Sequence, residues 1–262
     1  MMMLDSATNE TLHCIKAMKA QEETTQCHNY FEPKASIDID ESSRKSMAIW
    51  CQQVQKSLQL SSETVWIAMS FFDRYLISGK GKSREALEDR YKFQLAAITS
   101  FYIAVKIYET AELDAVTLAK SCRDYYAAAD IASMEKDILF ALDWRMSCPT
   151  PMDFARQMIE FLPQDLDSSI SECILESTQK YVDGTVTDFF FTFCKPSVTG
   201  ASCLSSSLTG SNVLSSLERQ AFWLEVAKVT DLADVLETQN KLLEGIDLSK
   251  PITLSSIAAK MS

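Results

Sequence analysis

The sequence predicts an all-α protein. Three observations carry that prediction. Apolar residues make up 47% of the 262, yet they recur at helical spacing rather than alternating. Glycine is scarce, with 6 in the whole chain, so few tight turns are available. The stretch Tyr91–Glu109, YKFQLAAITSFYIAVKIYE, is apolar on nearly every face. A helix of that kind belongs in the middle of a domain. Ala96, Ala97, Ser100 and Ala104 are small, so neighbouring helices can approach it closely.

The other elements follow in order. Residues 1–42 form an N-terminal segment with a short helix near 9–24 and an extended entry containing Pro33. SSRKSMAIWCQQVQKSLQL places Met47, Ile49, Trp50, Val54 and Leu58 at broadly helical spacing, with Ser42 or Ser43 as the cap. Ser61-Ser62-Glu63-Thr64 is a second helix start, and Val65, Ala68, Met69, Phe72, Tyr75 and Leu76 then share a face. GKGKSREALED reads as a solvated connection. A short helix is expected at about 113–122, and a clearer one at 130–144 whose stripe is Ile131, Met134, Ile138, Leu139 and Leu142. CPTP at 148–151 stops helix formation and is the best domain boundary. Helices are then expected near 152–162, 166–193, 196–209, 213–228 and 231–244. The serine-rich TGASCLSSSLTGSN reads as a packed helix of small residues opened by Pro196, with a flexible linker as the alternative.

Composition narrows the function. A net charge of −11 argues against a general nucleic-acid binder. No apolar run reaches the roughly 18 residues of a membrane span. The start has an early acid and no long apolar core, a poor signal peptide, so an intracellular protein is expected. The eight cysteines are scattered without a C-x-x-C pair. His13-Cys14 and Cys27-His28 match no standard zinc module, so no metal is expected, nor any cofactor. Phosphate-binding, hydrolase and metalloprotease signatures are absent, and both histidines lie in the N-terminal segment. A binding module fits better than an enzyme.

Four charged residues interrupt otherwise apolar helices: Arg44, Asp73, Lys106 and Glu135. They are either solvent-facing or two internal ion pairs, and spacing alone does not choose between these.

In order along the chain come Arg44 with Trp50, E-T-V at 63–65, D-R-Y-L at 73–76, Q-L-A-A at 94–97 and A-V-K at 104–106. M-E-K-D-I-L at 134–139 and L-D-W-R-M-x-x-P-T-P-x-x-F at 142–154 complete the set. Together these resemble a cyclin box. The resemblance implies two tandem five-helix bundles, the first clear at 43–150 and the second divergent at 151–245, with a tail at 246–262. F-C-K-P-S-V-T-G-A at 193–201 is loosely similar to the matching stretch of a C-terminal cyclin fold. It implies a structural salt bridge between Arg44 and Asp73. It also implies that Lys106 and Glu135 face outward and contact the main chain around the αC helix of a cyclin-dependent kinase. Ile107, Leu139, Trp144 and Met146 would form the apolar ring. The chain would then be a regulatory subunit that activates the kinase in a heterodimer, found in nucleus and cytoplasm with its partner. A transcription-related cyclin or a cyclin-fold scaffold is the alternative.

The 142–154 run most resembles D-type cyclins. Departures are visible too. Ser43 and Ser46 occupy apolar positions of the family's substrate-docking patch, and Gln53 stands in for its acid. LHCIK does not meet L-x-C-x-E, and REAL at 84–87 resembles only the core of a destruction box. Thr150-Pro151 reads as a structural turn.

Overall fold

The structure is a computed structural model that describes residues 6–25, 27–32, 38–123, 125–163, 165–209 and 213–245. Among the described residues there are twelve α-helices, two short 3-10 turns and no strand. None of these helices is long and apolar enough to cross a membrane. Pro33 and the expected tail at 246–262 lie outside the described residues.

The chain divides into two compact units. One holds Thr25–Cys148 and Val186–Phe193. The other holds the chain up to Thr24, Pro149–Thr185 and the chain from Cys194 onward.

The first unit contains α2 (Glu41–Leu58), α3 (Glu63–Ile77), α4 (Ser83–Glu88), α5 (Arg90–Tyr108), α6 (Ala115–Ser121) and α7 (Ala128–Ala141). Asp40, not Ser42 or Ser43, caps α2; its carboxylate accepts from Ser43 N at 2.9 Å, and Ser43 closes the capping box as the third helical residue. Ser62 makes no side-chain cap on α3. Its neighbour Ser61 instead donates its N–H to Glu109 Oε1 at 2.8 Å, and Thr64 Oγ1 also donates to Glu109. The carboxylate just beyond α5 thus ties the start of α3 to the end of α5, while Ser61 Oγ accepts from Glu63 N at 3.3 Å.

α5 is the centre of this bundle, touching α2, α3, α4 and α7. Every residue from Leu95 to Val105 is buried. The connection expected at 79–89 contains a helix, α4, whose Ser83 and Ala86 are buried. Gly79 and Gly81 turn the chain at φ 62° and 56°. Asp137 anchors that turn, accepting from Tyr75 Oη at 2.6 Å and Lys82 N at 2.9 Å. A side chain at Gly81 would collide with this carboxylate.

The second unit contains α8 (Pro151–Met158), α9 (Ser168–Thr185), α10 (Pro196–Thr209), α11 (Ser216–Val226) and α12 (Leu232–Gly245). Thr150 caps α8 and shares a capping box with Asp153, while Pro151 takes the first helical position. α10 is the central helix, against α8, α9 and α12. Ser197–Leu208 are all buried. Small side chains permit this: Ser202, Ser206 and Ser207 donate to the carbonyls four residues back, at 2.8, 3.0 and 3.1 Å. The helix α1 (Ser6–Glu22) packs here on α8 and α10, with Leu12 and Ile15 buried. Its last residue, Glu22, is buried and accepts from Ser197 N at 2.6 Å and Ser197 Oγ at 2.8 Å. A carboxylate thereby meets the N-terminal N–H groups of α10, where the helix dipole favours it.

The helix expected over 166–193 ends at Thr185. Thr185-Val186-Thr187 is a β-branched run with poor helix propensity. Asp188 then accepts from Phe190 N at 2.9 Å and opens a 3-10 turn, Phe189–Thr192. Phe189 is buried within the first unit, its ring 5.2 Å from Tyr30, 5.0 Å from Phe31 and 4.8 Å from Phe193.

Candidate partner-binding site

Arg44 and Asp73 meet in the interior. Arg44 Nε donates to Asp73 Oδ1 at 2.9 Å and Nη2 to Oδ2 at 2.7 Å, both side chains being 4% exposed. Two further groups complete the site, and neither is suggested by spacing. Tyr30 Oη donates to Asp73 Oδ1 at 2.7 Å, and Arg44 Nη1 donates to Val186 O at 2.8 Å. The guanidinium carbon also lies 5.8 Å from the Phe189 ring centroid. Burial alone would lower the Arg44 pKa, but the charge and hydrogen bonds of Asp73 outweigh it and raise it. Burial, then the Asp73 charge, push the Tyr30 phenol well above its ordinary value. This node ties α2 and α3 to the segments around Tyr30 and Val186.

Lys106 and Glu135 also meet, but at the surface. Lys106 stands in the last turn of α5, where a cation suits the dipole. Its Nζ lies 2.6 Å from Glu135 Oε1 on α7 and 5.0 Å from the Tyr102 ring centroid. The side chains are 44% and 17% exposed. The hydrogen bond to Glu135 raises the Lys106 pKa against the smaller opposing effect of burial. In the free chain, then, each member of the outward-facing pair has the other as partner.

Around the pair lie apolar side chains. Ile107 is 47% exposed and Trp144 70% exposed, whereas Leu139 and Met146 are half-buried against the core. One more belongs with them, and spacing does not single it out: Tyr108, whose Oη donates to Met146 O at 2.9 Å.

The end of α7 determines how Trp144 is presented. Trp144 N donates to Leu139 O at 3.0 Å and Asp143 N to Phe140 O at 3.1 Å, the paired bonds of a Schellman cap. Asp143, rather than glycine, takes the left-handed position at φ 52°, and Trp144 follows at φ 58°. Successive left-handed residues with side chains cost on the order of 1–3 kcal/mol each. Lys80 Nζ holds the Asp143 carboxylate at 2.7 Å. The bend projects the indole away from the bundle.

No group of acids, histidines and cysteines among the described residues is arranged to hold a metal ion. The surface is suited to docking: charged groups that can donate and accept, set among apolar side chains that solvent reaches.

Comparison with known proteins agrees with this architecture. The chain is 26% identical to Cyclin-A3-3 of Arabidopsis thaliana over 151 residues, which is 58% of this chain and 44% of that protein. It is 26% identical to G1/S-specific cyclin-D1 of Mus musculus over 199 residues, 76% of this chain and 64% of that protein. Each match thus spans less than two thirds of the relative's length. A viral cyclin from herpesvirus saimiri has the same fold at 16% identity, with a TM-score of 0.67 over 90% of this chain and 99% of that one. The family model for the cyclin N-terminal domain matches residues 13–147, more than half of the sequence. Two helical bundles, each wrapped around a buried central helix, and that match together place the chain in the cyclin family.

Proposed function

We propose that this chain is a regulatory subunit that binds and allosterically activates a cyclin-dependent serine/threonine kinase in cell-cycle control, in the manner of a D-type cyclin. The observation that carries the reading is the Lys106–Glu135 pair at the surface, flanked by exposed Ile107 and Trp144. Lys106 donates to main-chain carbonyls near the kinase αC helix, and Glu135 accepts from main-chain amides there. Bonds of this kind, made by charged groups, are short and strong. Ile107, Leu139, Trp144 and Met146, with Tyr108, supply the apolar area that accounts for most of the affinity. The chain performs no chemistry. Its binding energy favours the kinase conformation in which αC is turned inward and the kinase's own Lys–Glu pair forms. Localisation to nucleus and cytoplasm follows that of the partner. The 142–154 run and the similarity to a G1/S-specific cyclin support a cell-cycle role over a transcriptional one.

The test is co-purification with cyclin-dependent kinases, with kinase activity on a histone-type substrate, for wild type beside Lys106→Ala plus Glu135→Ala. Loss of both with unchanged helical circular dichroism is expected. Full activity of the double variant would rule out this docking surface, and a wild type that captures no kinase would rule out the function. Nuclear run-on after depletion separates the transcriptional alternative, which predicts a general fall in transcript synthesis.

A further inference from the structure

The D-R-Y-L stretch contains a second arginine, which the surface just described does not use. Asp73 is fully engaged by Arg44 and Tyr30. Its neighbour Arg74 is half-buried, and among the described residues its side chain makes one hydrogen bond, from Nη2 to Arg145 O at 2.8 Å. Nη1 is closed off from water and has no acceptor among the described residues. A guanidinium carries five N–H donors, and a buried donor without an acceptor is costly. Arg44 shows the contrast: all three of its nitrogens are bonded.

The groups around Arg74 supply no negative charge. Cys27 and Cys148 are beside it, and burial pushes the Cys27 thiol up to about 12, so it stays neutral. Arg145, which is exposed, adds the field of a second cation. Burial first, and the charge of Arg145 after it, lower the Arg74 pKa. Neither arginine has an ion-pair partner among the described residues, although acids outnumber bases 36 to 25 in the chain. Two arginines joined by a side-chain to backbone hydrogen bond, yet left without an acid among the described residues of so acidic a chain, are unexpected for a purely structural role.

Their position relates them to the proposed surface. Arg145 lies between Trp144 and Met146. The loop that carries all three is held by Arg74 Nη2 on Arg145 O and by Tyr108 Oη on Met146 O. We infer that Arg74 and Arg145 together receive a carboxylate side chain of the kinase, at the edge of the apolar surface around Trp144. The carboxylate is the missing acceptor. It bridges the exposed Arg145 and the half-buried Arg74, and the loop at 144–147 gives way slightly so that Nη1 gains a bond. Planar guanidinium and carboxylate groups match two bonds to two, which fixes the docking angle as well as adding affinity.

This inference rests on the kinase-binding reading above, and its test keeps the two apart. Arg145→Glu changes an exposed residue, so the fold should survive, as circular dichroism will show. It should weaken kinase capture by on the order of tenfold or more. Single Asp or Glu to Lys reversals across the kinase face should include one that restores capture by Arg145→Glu and weakens capture by the wild type. Arg74→Lys keeps the charge but loses the fork, and should weaken capture without changing the helical content. Undiminished capture by Arg145→Glu, while Lys106→Ala plus Glu135→Ala loses it, would overturn this inference and leave the proposed function standing. Failure of every kinase reversal to restore capture would also overturn it. So would a dependence on Arg145 that vanishes after phosphatase treatment of the kinase, since the acceptor would then be a phosphate. A wild type that captures no kinase overturns both.

Discussion

Replacing Asp73 by alanine should severely destabilise the first unit. Three hydrogen bonds are lost at once: two from Arg44, at 2.9 and 2.7 Å, and one from Tyr30, at 2.7 Å. The guanidinium remains in place, 3% exposed as a residue, with Val186 O and the Phe189 ring as its remaining company. Breaking a buried pair from one side costs about 3–5 kcal/mol, because the surviving charge stays out of water. That is a large share of the roughly 5–15 kcal/mol that holds a domain together. With a urea slope of about 2 kcal/mol/M, the midpoint should fall by about 2 M. The assay is urea unfolding followed by tryptophan fluorescence in a Trp223→Phe background. The remaining tryptophans, Trp50, Trp66 and Trp144, all lie in the first unit. A companion variant, Arg44→Met plus Asp73→Leu, removes both charges and should lose less than the single change does. A midpoint shift for Asp73→Ala below about 0.5 M, or a companion less stable than the single variant, would refute the view that an uncompensated buried charge is the dominant cost.

Other consequences are open to measurement. Tyr30, Tyr75 and Tyr126 all have phenol pKa values raised by burial first, with Asp73 and Asp137 adding to the effect on the first two. The folded state therefore keeps protons that the unfolded state loses above the ordinary value of 10.0, so stability should fall as pH rises past 10, and Tyr30→Phe should flatten that fall; thermal melts from pH 8 to 11 check both. Gly200→Ala should destabilise the second unit by about 1–3 kcal/mol, because its methyl group would collide with Pro151 O and press on Phe154 Cβ; Trp223 fluorescence in urea reports it. Ser215→Ala removes the α11 capping box with Glu218 and should cost about 1 kcal/mol by the same measurement.

Much of the fold is legible because the apolar residues are periodic. α5 reads as a central helix from its own residues, and α10 as a packed helix once Pro196 is placed at its start. What spacing does not convey is tertiary. Ser42 looks as good a cap as Asp40, and only the extended backbone at Asp40, φ −146°, makes that residue the cap. GKGKSREALED looks solvated because its buried members, Ser83 and Ala86, are small. Helix 166–193 reads as continuous because nothing local shows that Phe189 is buried beside Tyr30 and Arg44, more than a hundred residues earlier in the chain. Tyr30 itself, the third member of the buried ion-pair site, comes from a segment with no periodic signal at all.

The two charged pairs show how far sequence can go on function. Arg44–Asp73 and Lys106–Glu135 are both separated by 29 positions, and both join a basic to an acidic residue on different helices. Nothing in that spacing distinguishes them. Exposure does: 4% and 4% for the first, 44% and 17% for the second. A buried pair, once formed, is expensive to break, so selection for stability alone can keep it. An exposed pair contributes about 0–1 kcal/mol and is screened by salt. Stability therefore gives little reason for Lys106 and Glu135 to occupy a surface that also exposes Ile107 and Trp144, side chains for which contact with water is unfavourable. A role in docking accounts for both features together. It also requires that losing Lys106 and Glu135 change the unfolding midpoint little while reducing capture of the partner, the reverse of the pattern expected at Asp73.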